Sequence, residues 1–116
     1  MATPNPAFAA FLEEQRLDYQ RSLPPRVEEM QELWQQVLDG QAPDDALPTL
    51  ERHAHSIAGS AATFGCAPLG NAARALEMVL TPLVESGAAL TAEARAEVGA
   101  ALAMLPPNLP NLLKGA

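Results

Sequence analysis

Cysteine is almost missing from this chain. Cys66 stands alone, so no intramolecular disulfide and no multi-cysteine zinc or iron–sulfur site can be built. Basic residues are scarce as well: 7 Lys and Arg, none of them clustered, against 14 Asp and Glu leave a net charge of -7. That balance argues against nucleic acid as a partner, because phosphate backbones are bound by grouped cations. It argues equally against attraction to anionic membranes. No apolar run approaches the roughly 20 residues of a membrane span. Met1 to Pro6 show no basic region leading into an apolar run, so no secretory signal is visible and a cytoplasmic location is expected. Aromatics make up only 4% of the residues. Val, Ile and Thr do not alternate with polar residues over any useful length, so no convincing strand is found. No period of 20–50 residues marks a solenoid.

What the chain does have is alanine, at 23 of 116 positions, within a hydrophobic content of 48%. That mix suits close-packed helices and is enough to bury one core, so residues 1–116 read as a single domain. A thin stripe of Phe8, Phe11, Leu12 and Tyr19 predicts a helix over about 7–21. Pro24 and Pro25 then restart the chain. Val27, Met30, Leu33, Trp34, Val37 and Leu38 form a 3.6-period face over about 25–39, with Glu28, Glu29 and Glu32 on the solvated side and Gly40 as the stop. Over about 44–64 the residues Leu47, Leu50, Ala54, Ile57, Ala61 and Phe64 are spaced three or four apart, the seam of a bundle helix. Pro68 opens a helix of about 68–86 lined by Leu69, Ala72, Ala73, Leu76, Leu80, Leu83 and Val84, in which Pro82 is expected to kink or shorten the last turn. Thr91 caps a last helix over about 91–105, and a tail of 106–116 follows, in which Leu109, Leu112 and Leu113 can pack loosely. Short connections make sequential helices antiparallel neighbours. The expected fold is all-α: an antiparallel four-helix bundle with an additional N-terminal helix.

Phosphate-loop, dinucleotide, nucleophile-elbow and zincin signatures are all absent, so no nucleotide site or familiar hydrolase triad is declared. The chemistry concentrates in the run His53-Ala-His-Ser-Ile-Ala-Gly-Ser-Ala-Ala-Thr-Phe-Gly65. His55 follows the seam residue Ala54, so it lies about 100° round the helix from it. Its own stripe holds Glu51, Ala58, Gly59 and Ala62, and three of these four have almost no side chain. A glycine inside a helix costs about 1 kcal/mol relative to alanine. Gly59 therefore answers either to close packing by another helix or to a surface cleared so that a partner can reach the imidazole. The connection to the next helix centres near Cys66. If the two helices run antiparallel, His55 stands level with Glu77, which follows Leu76 as His55 follows Ala54. A carboxylate there accepts from Nδ1–H, fixes the tautomer and leaves Nε2 free as a nucleophile. His53 lies about 200° from His55, so the two cannot share one metal from a regular helix. His53 reads as an ordinary surface or partly buried residue, and Cys66, Met30 and Trp34 read as core.

This pattern resembles the histidine-containing phosphotransfer (HPt) domain. That family has a His on a bundle helix, a Lys three residues on, a Gly at four and another at ten. This chain reads His55, Ala58, Gly59 and Gly65. The wording of the run is especially similar to the phosphotransfer domain of chemotaxis-type histidine kinases, and Glu77 stands where the family places a Glu or Gln beside the imidazole. The resemblance implies a phosphorelay intermediate. His55 would accept a phosphoryl group from a histidine kinase or from the aspartyl phosphate of a response-regulator receiver domain, and would pass it to a receiver Asp. Glu77 would orient the imidazole. No intrinsic cofactor is implied, since the receiver partner supplies Mg²⁺. A receiver would dock over Ala58, Gly59 and Ala62, with Arg52 alongside and with Phe8, Phe11 and Leu12 as a hydrophobic rim wherever they are exposed beside His55.

The departure from the family pattern is Ala58 in place of Lys. A phosphoryl group adds a charge of roughly -2, and the cation that offsets it must come from elsewhere. Arg52, three before His55, and Arg74, three before Glu77, are the nearest in sequence. Ala58 also supports a rival reading: a pseudo-phosphotransfer adaptor that binds a receiver or kinase without carrying phosphate. A detached domain of a larger chemotaxis-type kinase and a plain dimerising bundle are the remaining alternatives.

Overall fold

A computed structural model of the chain describes residues 5–41, 43–87 and 89–105, with the backbone alone for Pro43 and Asp44. These residues form four helices: α1 (Pro6–Leu38), α2 (Pro43–Ser60), α3 (Ala67–Ser86) and α4 (Ala92–Ala103). A 3-10 turn at Ala62–Phe64 links α2 to α3. No strand occurs among the described residues. The expected leucine-rich tail lies outside them.

The helices expected over 7–21 and 25–39 are one. α1 runs unbroken for 33 residues through Pro24 and Pro25, so the additional N-terminal helix is its first half. Each proline deprives a carbonyl one turn back, at Gln20 and Arg21, of its helical partner. Both prolines face solvent, where water can meet those carbonyls. On the opposite face Leu23, Val27, Met30, Trp34 and Val37 are spaced four, three, four and three, and all five are buried. The apolar stripe passes beneath the prolines without interruption and holds the axis together. Asn5 caps the helix start by accepting from the Ala7 amide at 2.9 Å, and Pro6 takes the first position, where its missing N–H costs nothing.

Pro82 behaves in the same way. α3 continues past it to Ser86. Its ring and the Met78 carbonyl it deprives lie on the exposed side, while Leu76 and Leu80 stay buried. α2 stops at Ser60 rather than 64, because Ala61 begins a tighter turn that ends at Gly65. Gly65 has φ 78°, a left-handed conformation that a side chain would strain. Thr91 caps α4 by accepting from the Ala94 amide at 3.0 Å.

The core is one cluster drawn from all four helices. It includes Leu50, Ala54, Ile57 and Ala61 of α2, Leu69, Ala73, Leu76 and Leu80 of α3, and Val98 and Leu102 of α4. Most of the sequence-derived seams are buried; Leu38 is the exposed exception, and Phe64, Leu83 and Val84 are half-buried. α2 and α3 make the most extensive helix pairing and fold back on each other across the turn at 61–66. Gly70 makes their closeness possible. A β-carbon at Gly70 would lie 3.3 Å from Cβ of Ala61 and 3.7 Å from the Ala58 carbonyl oxygen. Gly70→Val should therefore overpack this crossing and lower stability by about 1–3 kcal/mol in urea denaturation. An unchanged denaturation midpoint would show that the crossing has slack.

Candidate functional site

The solvent-facing side of α2 lies between two flanking helices, and each contributes a row of contacts. On the α3 side the Ala61–Gly70 approach sets the register. Two turns further from the connection, Glu77 Oε2 meets Nδ1 of His55. The imidazole is 74% exposed, whereas the Glu77 side chain is only 20% exposed. An ionised carboxylate can only accept, so Nδ1 carries the proton and the lone pair of the neutral ring is at Nε2. The pair thus presents an unprotonated nitrogen to solvent from a ring whose orientation is held at its other nitrogen.

On the other side α1 packs along α2 through three polar contacts and on the following 3-10 turn through an aromatic one. His53 Nε2 lies 3.0 Å from Glu29 Oε2. The Arg26 guanidinium donates to Ser56 Oγ at 3.1 Å. Tyr19 and Ser60 share a hydroxyl hydrogen bond of 2.8 Å. The Tyr19 ring stacks on Phe64 at 4.5 Å between centroids. Descending numbers on α1 thus meet ascending numbers on α2, and His55 stands level with Arg26. His53 is the partly buried member of the two histidines and turns to α1, away from His55.

The residues singled out around His55 take different places. Gly59 is exposed, and a β-carbon added there would meet nothing within 4 Å. Helix packing therefore does not account for this glycine, which leaves an open surface one turn beyond His55. Ala62 is exposed as well. Ala58 is not available for docking: it is 8% exposed and belongs to the core cluster. It lies between His55 and the buried seam, where the close approach of α3 at Gly70 covers it. Arg52 is exposed and donates to Thr49 Oγ1 at 3.1 Å. Arg74 is exposed and has no hydrogen-bond or ion-pair partner among the described residues.

Phe8, Phe11 and Leu12 are exposed at 56%, 52% and 51%, but they do not rim His55. They precede Arg26 on α1 by 14 to 18 residues, roughly 20–27 Å of helix. Because α1 is one long rod, its first turns project beyond the 61–66 connection instead of folding over the site. Three contributors were not visible in the motif. Gly70 permits the α2–α3 approach, Arg26 reaches the residue next to His55, and Tyr19 clamps the end of α2. Each acts through a contact between helices, and local spacing carries no signal for the last two. A separate cleft of about 320 Å³ lies at the opposite end of the bundle between Leu47, Leu83 and Leu90, with Arg95 as the charged residue in its wall. It brings no nucleophile together with a base.

Residues 12–107 match the model of the Hpt domain family. Comparison with curated proteins and comparison with solved structures each gave no match. The matched segment spans well over half of the chain and includes α2, α3, α4 and most of α1. On that match, and as an all-helical bundle, the chain belongs to the Hpt domain family, whose work is histidine phosphotransfer in two-component systems.

Proposed function

We propose that this protein is a phosphorelay carrier in which Nε2 of His55 takes a phosphoryl group from a histidine kinase or a receiver-domain aspartyl phosphate and returns it to a receiver Asp. The observation that carries this reading is an exposed imidazole held at Nδ1 by Glu77, beside the unfilled surface at Gly59. In the exchange with a receiver the Nε2 lone pair attacks phosphorus. The Nε2–P bond forms as the bond from phosphorus to the aspartyl oxygen breaks, and the carboxylate leaves with the electron pair. The ring becomes a phosphoimidazolium that keeps its Nδ1 proton, and its positive charge lies against the Glu77 carboxylate. Transfer to the next receiver is the reverse. Such transfers depend on positioning and charge stabilisation. Glu77 supplies the positioning here, and Mg²⁺ comes with the receiver. The partners are therefore a cytoplasmic receiver and kinase, docking transiently on an antiparallel α2–α3 hairpin over His55, Gly59 and Ala62.

Ala58 favours a second reading. The family's lysine position is filled by a buried methyl group, and a module without that cation can serve as an adaptor that binds a receiver or kinase and carries no phosphate. Intact-mass measurement after incubation with phosphorylated receivers separates the two. A relay carrier gains one acid-labile phosphoryl group that is lost in His55→Gln. An adaptor binds receivers and gains none.

Two further outcomes follow from the geometry. Gly59→Arg places a long side chain over the open surface without meeting any neighbour, so the fold should persist while receiver-dependent phosphorylation falls at least tenfold. Normal transfer in that variant would remove Gly59 from the docking surface. Glu77→Ala should leave the helical signal intact but release the ring, shifting His55 from the Nδ1–H toward the Nε2–H tautomer in imidazole ¹⁵N spectra. Spectra unchanged by the substitution would show that Glu77 does not set the tautomer.

A further inference from the structure

The arginines of this chain are not treated alike. Remote from His55, Arg16 is doubly hydrogen-bonded to Glu13 at 2.8 and 3.1 Å, and Arg21 pairs with Asp18 at 3.2 Å. Near His55, Arg26 and Arg52 bond only to hydroxyls, those of Ser56 and Thr49, and neither meets a carboxylate among the described residues. Arg74 and Arg95 also meet no carboxylate among the described residues, so what sets Arg26 and Arg52 apart is their place on the α1 side of α2 close to the level of His55. Each retains most of its five N–H donors.

Their placement matches a specific need. Glu51, four residues before His55, and Glu77 both bring negative charge to the ring. A phosphoryl group adds roughly two more negative charges. Position 58 offers no cation, and Ala58 is buried. A helical side chain leans toward its own N-terminus, which carries the imidazole toward the turn of Arg52 and away from position 58. Arg26 enters from α1 at the same level and is anchored on Ser56, the next residue in the chain.

We propose that Arg26 and Arg52 together form the anion site for a phosphoryl group on Nε2 of His55, one guanidinium from each of two helices, in place of the single lysine of the family pattern. This rests on the phosphoacceptor reading and goes beyond it by assigning the groups that receive the charge. Ser56 and Thr49 hold the two arginines in the unphosphorylated protein, and the phosphoryl oxygens take over those donors once the Nε2–P bond is made.

The test uses the full chain and phosphoramidate, a small donor that brings no cations of a partner protein. Attack by Nε2 breaks the P–N bond of the donor and releases ammonia, and the ³¹P resonance of the product is assigned by its loss in His55→Gln. A nearby cation favours the dianionic phosphoryl group and lowers the pH at which it ionises. Arg26→Ala and Arg52→Ala should each raise the ³¹P titration midpoint by roughly 0.3–0.5 pH unit, and the double variant by more than either. Arg26→Lys should restore most of the shift, and Arg74→Ala should leave the midpoint in place. Titration of the double variant at the wild-type midpoint, or a shift confined to Arg74→Ala, overturns the arginine site while leaving His55 as acceptor. If neither phosphoramidate nor phosphorylated receivers label His55, the phosphoacceptor reading fails and takes this site with it.

Discussion

The close approach of α3 to α2 at Gly70 governs the site. An alanine methyl and a bare glycine backbone meet there, at a separation that would leave an added β-carbon 3.3 Å from Ala61. Both helices are regular from that point, so the crossing fixes what stands opposite what for the next two turns. Glu77 arrives at Nδ1 of His55 as a consequence. A larger residue at 70 would push the helices apart at one end and draw the mostly covered Glu77 carboxylate away from the exposed ring. The His55–Glu77 contact is thus set by packing some distance from it. The hydrogen bond alone does little to hold the helices in register, since a typical one contributes about 0.5–1.5 kcal/mol net.

A phosphoryl carrier faces opposing demands. The nucleophile must be open enough for a folded partner to reach it, yet an open side chain on a helix samples several rotamers and two tautomers. Under the proposed function, these demands fall on the two ring nitrogens separately. Nδ1 is held by a carboxylate that is itself mostly covered, and Nε2 lies on the side left exposed. Gly59 belongs to the same division. It forgoes about 1 kcal/mol of helix propensity relative to alanine, and nothing inside the molecule requires its missing side chain. Under the proposed function, that stability is given up for a docking partner.

Much of this was legible in the sequence, and the parts that were not share a cause. The seams of α2, α3 and α4 follow from apolar spacing because a buried stripe has to repeat with the helix. Counting outward from Cys66 puts Glu77 opposite His55 because the connection is short and both helices are continuous between it and the pair. Pro24 and Pro25 do not restart the chain, and Pro82 does not shorten α3, for one physical reason. Pro24, Pro25 and Pro82 each remove a hydrogen bond on a solvated face, where water can replace it, while apolar residues opposite keep the rod continuous. Joining two expected helices into α1 carries Phe8, Phe11 and Leu12 away from His55, so the continuity of one helix decides where the apolar stripe stands. Helical angle alone places Ala58 on the open stripe, but the closeness of α3 extends burial to it. Arg26 lies 29 residues before His55, and only the packing of α1 on α2 brings it close.

The side of His55 on which the cations stand matters to the chemistry. Position 58 lies about 60° from His55 toward α3, the side of Glu77. A lysine there would stand near both the imidazole and the carboxylate that orients it, and could pair with Glu77 when no phosphoryl group is present. Arg52 and Ser56 lie about 60° and 100° from His55 in the opposite sense, on the α1 side. Guanidinium groups placed there can meet phosphoryl oxygens on Nε2 without drawing Glu77 from Nδ1. With a small residue at 58, α3 can pack closely where Gly70 allows it, and the carboxylate stays committed to the ring. On this view the loss of the motif lysine and the tightness of the α2–α3 crossing are linked: the charge needed for phosphorylation has moved to the other flank of the same helix, where it does not compete with the group that prepares the nucleophile.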